Sequence, residues 1–433
     1  MTNSNKRAYT KSSQWLARAE NTIPLGSQTF SKSRIAYPKN VTPLFLQKGE
    51  GCQVWDADDN QYTDFVSGLL SISLGYRDED VDNAVIEQIK SGVSFSLPHK
   101  LEMEVSELLV DMIPCAEMSR FGKNGSDATS AAIRLARAYT NRDHVAVCGY
   151  HGWQDWYIGS TTRDLGVPDI VKSLTHAFVY NDIRSLEEVF EQQPNKIAAV
   201  ILEPMNTTFP KDNFLQKVKA LCIQHGTVLI FDETITGFRY SQGGAQQLFS
   251  VTPDLATFGK GMANGYPISA VVGRRDIMML MEDIFFSGTF AGETLSLAAT
   301  KATLTKIKQQ NVLEHIHAMG TKLLNGLTQL IKKYHAQSWL SLAGHPSWSF
   351  LLITDNGGYS QLELKSLFIQ EMSERGILLG GGHNLSFAHK DKDIDTLLKA
   401  YDEVLLILIS TVKNKDFNQR FRGELLEPVF KVR

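Results

Sequence analysis

Lysine forms Schiff bases with carbonyl compounds when its amine is free of its proton. Lys260, in the stretch TFGKGMANGYPISAVVG at residues 257–273, has a setting that suits this chemistry. Gly259 and Gly261 flank it, letting backbone approach a ligand closely and leaving the amine on a short, shaped loop. Taken alone, a GKG tripeptide is explained as well by a surface lysine in a flexible turn. A second stretch changes that balance. In VLIFDETITGF, residues 228–238, four apolar residues (Val228, Leu229, Ile230, Phe231) read as a buried strand. Asp232-Glu233 then falls at its carboxyl end, where open α/β sheets bind ligands. A carboxylate so placed can hold a ring nitrogen in its protonated form, which makes an attached ring an electron sink.

Together these stretches resemble the class-III, fold-type-I aminotransferases that depend on pyridoxal phosphate, in the branch containing glutamate-1-semialdehyde aminomutase. The resemblance runs from about residue 23 to about residue 398, with at least five motifs in the family's order. It implies an α/β fold: a large domain with a mixed, mostly parallel sheet flanked by helices, and a small α+β C-terminal domain. It also implies pyridoxal 5'-phosphate as cofactor, with Lys260 and Asp232 as the catalytic pair.

The elements that must position this pair can be read in turn. FGKNGSDATSAAIRLARAYTNR (residues 121–142) is a Gly/Ser turn entering a helix, with Ser126 as a good N-cap and free amides suited to a phosphate. The resemblance assigns Gly125 and Ser126 to the cofactor phosphate; Asp127, a carboxylate beside that phosphate, must point toward another donor. A short strand then leads to Tyr150-His151-Gly152. The resemblance puts Tyr150 on the cofactor ring, and two roles fit His151: beside the cofactor, or satisfying hydrogen bonds below it. AAVILEP (residues 198–204) is another buried strand ending in an acid, Glu203, which with Asn206 matches residues near the cofactor. Residues 214–225 read as a helix returning the chain to the Asp232 strand in a βαβ unit. Thr289, in FSGTFAGETLSL, falls where relatives reach the phosphate of the neighbouring subunit's cofactor, which implies a homodimer with shared active sites.

Several positions depart from the aminomutase. Lys32 closes IPLGSQTFSK where the aminomutase has an arginine, keeping the charge but losing the planar fork that grips a carboxylate. Leu69 replaces a tryptophan, and the loop 205–209 differs. Arg163, on a Gly/Thr-rich stretch resembling a lid, is either a contact to an anionic substrate or a solvated loop charge. Gly380-Gly381-Gly382 brings backbone close to some partner, which makes His383 and Asn384 candidate specificity residues. Elsewhere, residues 12–22 read as an amphipathic helix with Trp15, Leu16 and Ala19 on one face. Cys52–Asp56 and Gln61–Phe65 read as arms of a small antiparallel sheet.

The 433 residues, 43% hydrophobic and 21% charged, are ordinary for a globular protein, and a net charge of −3 gives no electrostatic case for nucleic acid. The four cysteines are scattered without metal-ligand spacing, as buried thiols in a reducing compartment would be. No secretory signal or membrane-length apolar run is visible, so a cytoplasmic protein without membrane partners is expected. The expected division is an N-terminal arm and small sheet (1–70), a large cofactor domain (71–315) and a small C-terminal domain (316–433). Three activities fit: transfer of an amino group from a small-molecule donor to an oxo acceptor, with a sugar-like acceptor among the fits; the aminomutase reaction; and a non-catalytic module that keeps the fold. Racemase and decarboxylase chemistry use the same cofactor and stay open.

Overall fold

The computed structural model describes residues 7–427, which cluster into two compact units. The larger spans residues 71–73 and 79–313 and is built on a seven-stranded sheet. In chain order its strands are β1 (Met118–Gly122), β2 (His144–Cys148), β3 (Thr175–Ala177), β4 (Ile197–Leu202), β5 (Val228–Asp232), β6 (Leu255–Phe258) and β7 (Ser269–Gly273). They lie side by side in the order β1-β7-β6-β5-β4-β2-β3. Only β7 runs antiparallel to its neighbours, so the sheet is mixed and mostly parallel, as expected. Every position of β4, β5, β6 and β7 is buried, which explains why these segments are continuous apolar runs rather than alternating ones.

Helix α1 (Gly125–Thr140) packs Ala131, Ala132, Ile133, Leu135 and Ala136 into the core beside Val145, Ala199, Ile230 and Val271. It stops at Asn141, whose left-handed backbone (φ 51°, ψ 43°) cannot continue a helix. Helix α2 (Phe214–His225) links β4 to β5 and ends at Gly226 (φ 59°). It fills the span read from the sequence. Asn124, rather than Ser126, caps α1: the side chain of Asp127 accepts from the backbone amides of Lys123 (2.9 Å) and Asn124 (2.8 Å) in a capping box. That is the donor set Asp127 required, and Ser126 lies inside the first turn.

The other unit comprises residues 7–70, 74–78 and 314–427. The N-terminal arm and the C-terminal region are therefore one body, joined where Ile377–Leu378 pairs in parallel with Gln61–Asp64. The expected hairpin is present, with Gln53–Asp56 antiparallel to Gln61–Asp64 and Leu46–Glu50 outside it. A separate sheet holds Leu340–His345, Trp348–Ile353 and Gly382–Asn384. The first helix, Thr10–Glu20, buries Ser12 and Leu16; Trp15 is 36% exposed and meets Phe45 edge-on, so the predicted Trp15-Leu16-Ala19 face is not the buried one. Ser67, Gly68, Leu69 and Leu70 form a left-handed turn, with Leu69 at φ 60°. Such backbone costs energy for a non-glycine residue and is tolerated only where its surroundings fix it. Here Asp64 accepts from the amides of Val66 and Ser67, and Ser67 Oγ donates to the Asn384 carbonyl. Among the described residues, no helix is long and apolar enough to cross a membrane.

Candidate active site

The parallel strands deliver the candidate residues to one edge of the sheet. Cys148, Leu202 and Phe231 are register partners along β2, β4 and β5, and Asp232 pairs with Thr257 on β6. Tyr150 and His151 follow β2, Glu203 follows β4, Asp232 ends β5, and Lys260 lies just beyond β6. Five residues from four separate segments thus converge where an open sheet binds ligands.

Asp232 and its neighbour Glu233 have separate tasks. Asp232 is buried, and His151 Nδ1 lies 2.9 Å from its Oδ2. The Thr257 hydroxyl and the Thr234 amide both donate to Oδ1 at 3.1 Å. Burial alone would raise the Asp232 pKa, but the hydrogen bonds from His151 and Thr234 outweigh it and hold the carboxyl below the usual range. Glu233 instead takes the amides of Ala245 (2.7 Å) and Gln246 (2.8 Å) and the Thr236 hydroxyl, so it staples the following loop. His151 is wholly buried under Trp156 and Tyr157, and its Nε2 has no hydrogen-bond partner among the described residues. Of the two roles open to it, the hydrogen bond to Asp232 is the one its geometry provides.

Glu203 is buried, and its carboxylate accepts from the Tyr150 amide (3.1 Å) and from Asn206 Nδ2 (2.9 Å). Burial, with the Asp232 charge next, pushes its pKa up despite these donors. Gly149 (φ 108°) makes the approach possible: a Cβ there would sit 2.6 Å from Glu203 Oε2. Lys260 is itself in the left-handed region (φ 41°), an uncommon conformation for a residue with a side chain. Burial pulls its ammonium below the ordinary lysine range; Glu203 and Asp232 oppose this and Arg239 adds to it. The amine is therefore more readily freed of its proton than an exposed lysine's.

At the start of α1, Gly125 faces Thr234, whose methyl carbon would lie 2.9 Å from a Cβ on that glycine. The same methyl group lies 3.5 Å from the Cβ position of Gly259, so Thr234 sits between the helix start and the lysine loop. Its hydroxyl is buried beside the Asp232 carboxylate. Gly152 (φ 111°) packs against Ser126, where a Cβ would meet Oγ at 2.3 Å. Thr234 escaped the sequence reading, although it stands two residues after Asp232 on the same strand end. Thr257 and the buried Arg239 escaped it too, since a hydroxyl within a strand and an arginine in the turns after β5 carry no spacing signal of their own.

Tyr150, at the same sheet edge, is 46% exposed, with its ring edge-on to Tyr157. The remaining candidates lie elsewhere. Arg163 is exposed on the loop after Thr161. Thr289 is exposed beside a hollow of about 560 Å³ lined by residues 94–98 and 286–289. It caps no helix: Glu293 caps Thr294–Gln309 and pairs with Lys123 at 2.8 Å. Lys32, Leu69 and His383 belong to the other unit. Lys32 and Leu69 line a cavity of about 350 Å³ there. His383, in contrast to its expected substrate-facing place, is 0% exposed; Nδ1 meets Ser349 at 3.0 Å and Nε2 meets Tyr401 at 2.6 Å, leaving neither nitrogen for a ligand.

An ionised buried carboxylate, a lysine with a depressed pKa, the start of a long helix and a buried His151 Nε2 without a partner among the described residues fit a phosphate-bearing pyridine aldehyde. The fold agrees. The FumI protein of Sphingopyxis sp. MTA144, solved in its pyridoxal-phosphate form, superposes with a TM-score of 0.87 at 28% identity, covering 96% of this chain and 99% of that one. This is the architecture of the fold-type-I transaminases. The aminotransferase class-III family model matches residues 35–384, so the chain belongs to that family, and pyridoxal phosphate is its cofactor. It is 34% identical over 373 residues to a 3-aminobutyryl-CoA aminotransferase of Cloacimonas acidaminovorans, covering 84% of this chain and 89% of the relative. It is 36% identical over 430 residues to a glutamate-1-semialdehyde 2,1-aminomutase of Alkaliphilus oremlandii, covering 91% and 98%.

Proposed function

We propose that this protein moves an amino group between two molecules, from a small amine donor to an oxo acceptor with a hydroxylated, sugar-like body. Pyridoxal phosphate, when bound, supplies an aldehyde that carries the amine and a ring that takes up the electron pair of the substrate carbon. Lys260 Nζ is the attachment point and the base that takes a proton from the substrate carbon and returns it. Asp232, kept ionised by His151, Thr234 and Thr257, holds the proton on the ring nitrogen. The observation that carries this assignment is the 2.9 Å contact of His151 with Asp232 at the strand end next to Lys260. Gly125, Ser126 and Thr234 hold the phosphate at the start of α1, Tyr150 covers the ring, and Asn206 with Glu203 faces its phenolic oxygen. Thr289, exposed on its own chain, serves the phosphate of a second copy, which makes the working form a homodimer. The cytoplasm is its proposed place.

Transfer between molecules is favoured over the aminomutase reaction by Lys32, which lacks the bidentate fork of the arginine it replaces. Aminomutase chemistry is the second reading, supported by relatives of that name at 34–36% identity. The two separate in one experiment. The cofactor-loaded enzyme is given 15N-labelled L-glutamate and a panel of hydroxylated aldehydes and ketones, and products are weighed by mass spectrometry. Label appearing on an acceptor supports intermolecular transfer. If label moves to no acceptor while glutamate semialdehyde is rearranged internally, the proposal fails and the aminomutase reading replaces it.

A further inference from the structure

The unit formed by the two ends of the chain contains a cavity of about 380 Å³, within the range of small-molecule sites. Its walls are mainly apolar and aromatic, with Tyr37, Leu69, Trp348 and Phe350 prominent. Two polar groups on the wall are left incompletely paired among the described residues. Lys365, on helix Gln361–Glu374, makes no hydrogen bond or ion pair with any described residue, and its stem packs on Gly381, whose Cβ position is 3.3 Å from Lys365 Cε. Gly381 has φ 102°, so a larger residue there would be strained as well as crowded against the lysine. Burial lowers the Lys365 pKa, as a partly desolvated ammonium without a counter-charge requires. Glu427 also lines the cavity, and its Oε1 lies 4.0 Å from Arg34.

The second group is Asn384, which is 9% exposed. Its Nδ2 donates to the Val66 carbonyl at 2.7 Å; that carbonyl can only accept, so the amide orientation is fixed. The remaining atom, Oδ1, is buried with no partner among the described residues. An unpaired buried acceptor is destabilising, and an unpaired ammonium more so. Both groups surround one cavity, and the strained turn carrying Leu69 is tied to Asn384 through Ser67. Strain of this kind gathers at binding sites.

We propose that this cavity binds a small hydroxylated anion, with its carboxylate or phosphate on Lys365 Nζ and a hydroxyl donating to Asn384 Oδ1. The idea concerns binding alone and stands whether the donor and acceptor of the transfer reaction prove to be those proposed above.

Isothermal titration of the pyridoxal-phosphate-loaded enzyme tests it, since loading fills the cofactor's own phosphate site. The probes are gluconate, glycerol 3-phosphate and, as an anion without a hydroxyl, acetate. Saturable binding of gluconate or glycerol 3-phosphate at least tenfold tighter than acetate is expected, and which of the two binds tells the carboxylate source from the phosphate source. Lys365→Met, which keeps the stem and removes the charge, weakens that binding at least tenfold while the ligand-free protein melts at the same or a higher temperature. Equal affinity in wild type and Lys365→Met overturns the proposal, as does the absence of saturable binding by either hydroxylated anion. A lower melting temperature for the ligand-free variant also counts against it, because the lysine would then be paired within the protein.

Discussion

Replacing His151 by phenylalanine keeps a flat ring between Trp156 and Tyr157 but removes the hydrogen bond to Asp232. The two side chains are 0% and 5% exposed, so solvent does not screen the interaction. A hydrogen bond to a buried charge contributes about 1.5–3 kcal/mol. Its loss raises the Asp232 pKa toward the side that burial alone favours. The sign follows from linkage. Asp232 has a folded pKa below its unfolded one, so its contribution to stability is present above the unfolded value and is lost as pH falls through the folded value. Without His151 that margin shrinks, and the carboxylate protonates at higher pH. Turnover of the loaded enzyme measured against pH should therefore acquire an acid limb at higher pH than that of the wild type. His151→Asn, whose Nδ2 can still donate to the carboxylate, should recover part of the shift. An acid limb in the phenylalanine variant that coincides with the wild type's would refute the reasoning and make His151 a packing residue.

Two further expectations rest on other parts of the chain. Gly152→Ala forces a Cβ to within 2.3 Å of Ser126 Oγ at a φ of 111°, so it should destabilise the protein by about 1–3 kcal/mol and weaken cofactor phosphate binding; urea unfolding and cofactor titration check both, and unchanged values in each would show that the loop shifts freely. His383 and His389 are both fully buried, and burial lowers each to about 4 from 6.5. The unfolded chain binds more protons in that interval, so stability should fall as pH drops from about 6.5 toward 4, by roughly 3 kcal/mol per histidine; a flat unfolding free energy across this range would contradict it.

Much of the large unit was legible in the sequence because it is local and apolar. Strand Val228–Asp232 and helix Phe214–His225 have unbroken patterns and clear ends, and the residues following the buried strands are the candidate site. What the sequence hid depends on contacts between distant segments. Nothing in residues 7–70 announces that they join residues 314–427, because a two-residue strand, Ile377–Leu378, makes the connection. The cap of α1 was misplaced by two residues because Asn124 with Asp127 competes with Ser126, and only the backbone geometry decides between them. His383 follows three glycines and so reads as a loop residue, yet it pairs into a sheet and buries both nitrogens. Asp232 and Glu233 are adjacent acids of equal promise in the sequence, and it is the alternation of side chains at the strand end that sends one to His151 and the other to the amides of Ala245 and Gln246.

The central claim is that Lys260 is the cofactor lysine. Borohydride reduction of the loaded enzyme, followed by proteolysis and mass spectrometry, fixes the cofactor to whichever amine holds it. One pyridoxyl group per chain is expected on the peptide containing Lys260, and none in Lys260→Ala. Modification at Lys123, Lys365 or another lysine, with Lys260 unmodified, would contradict it.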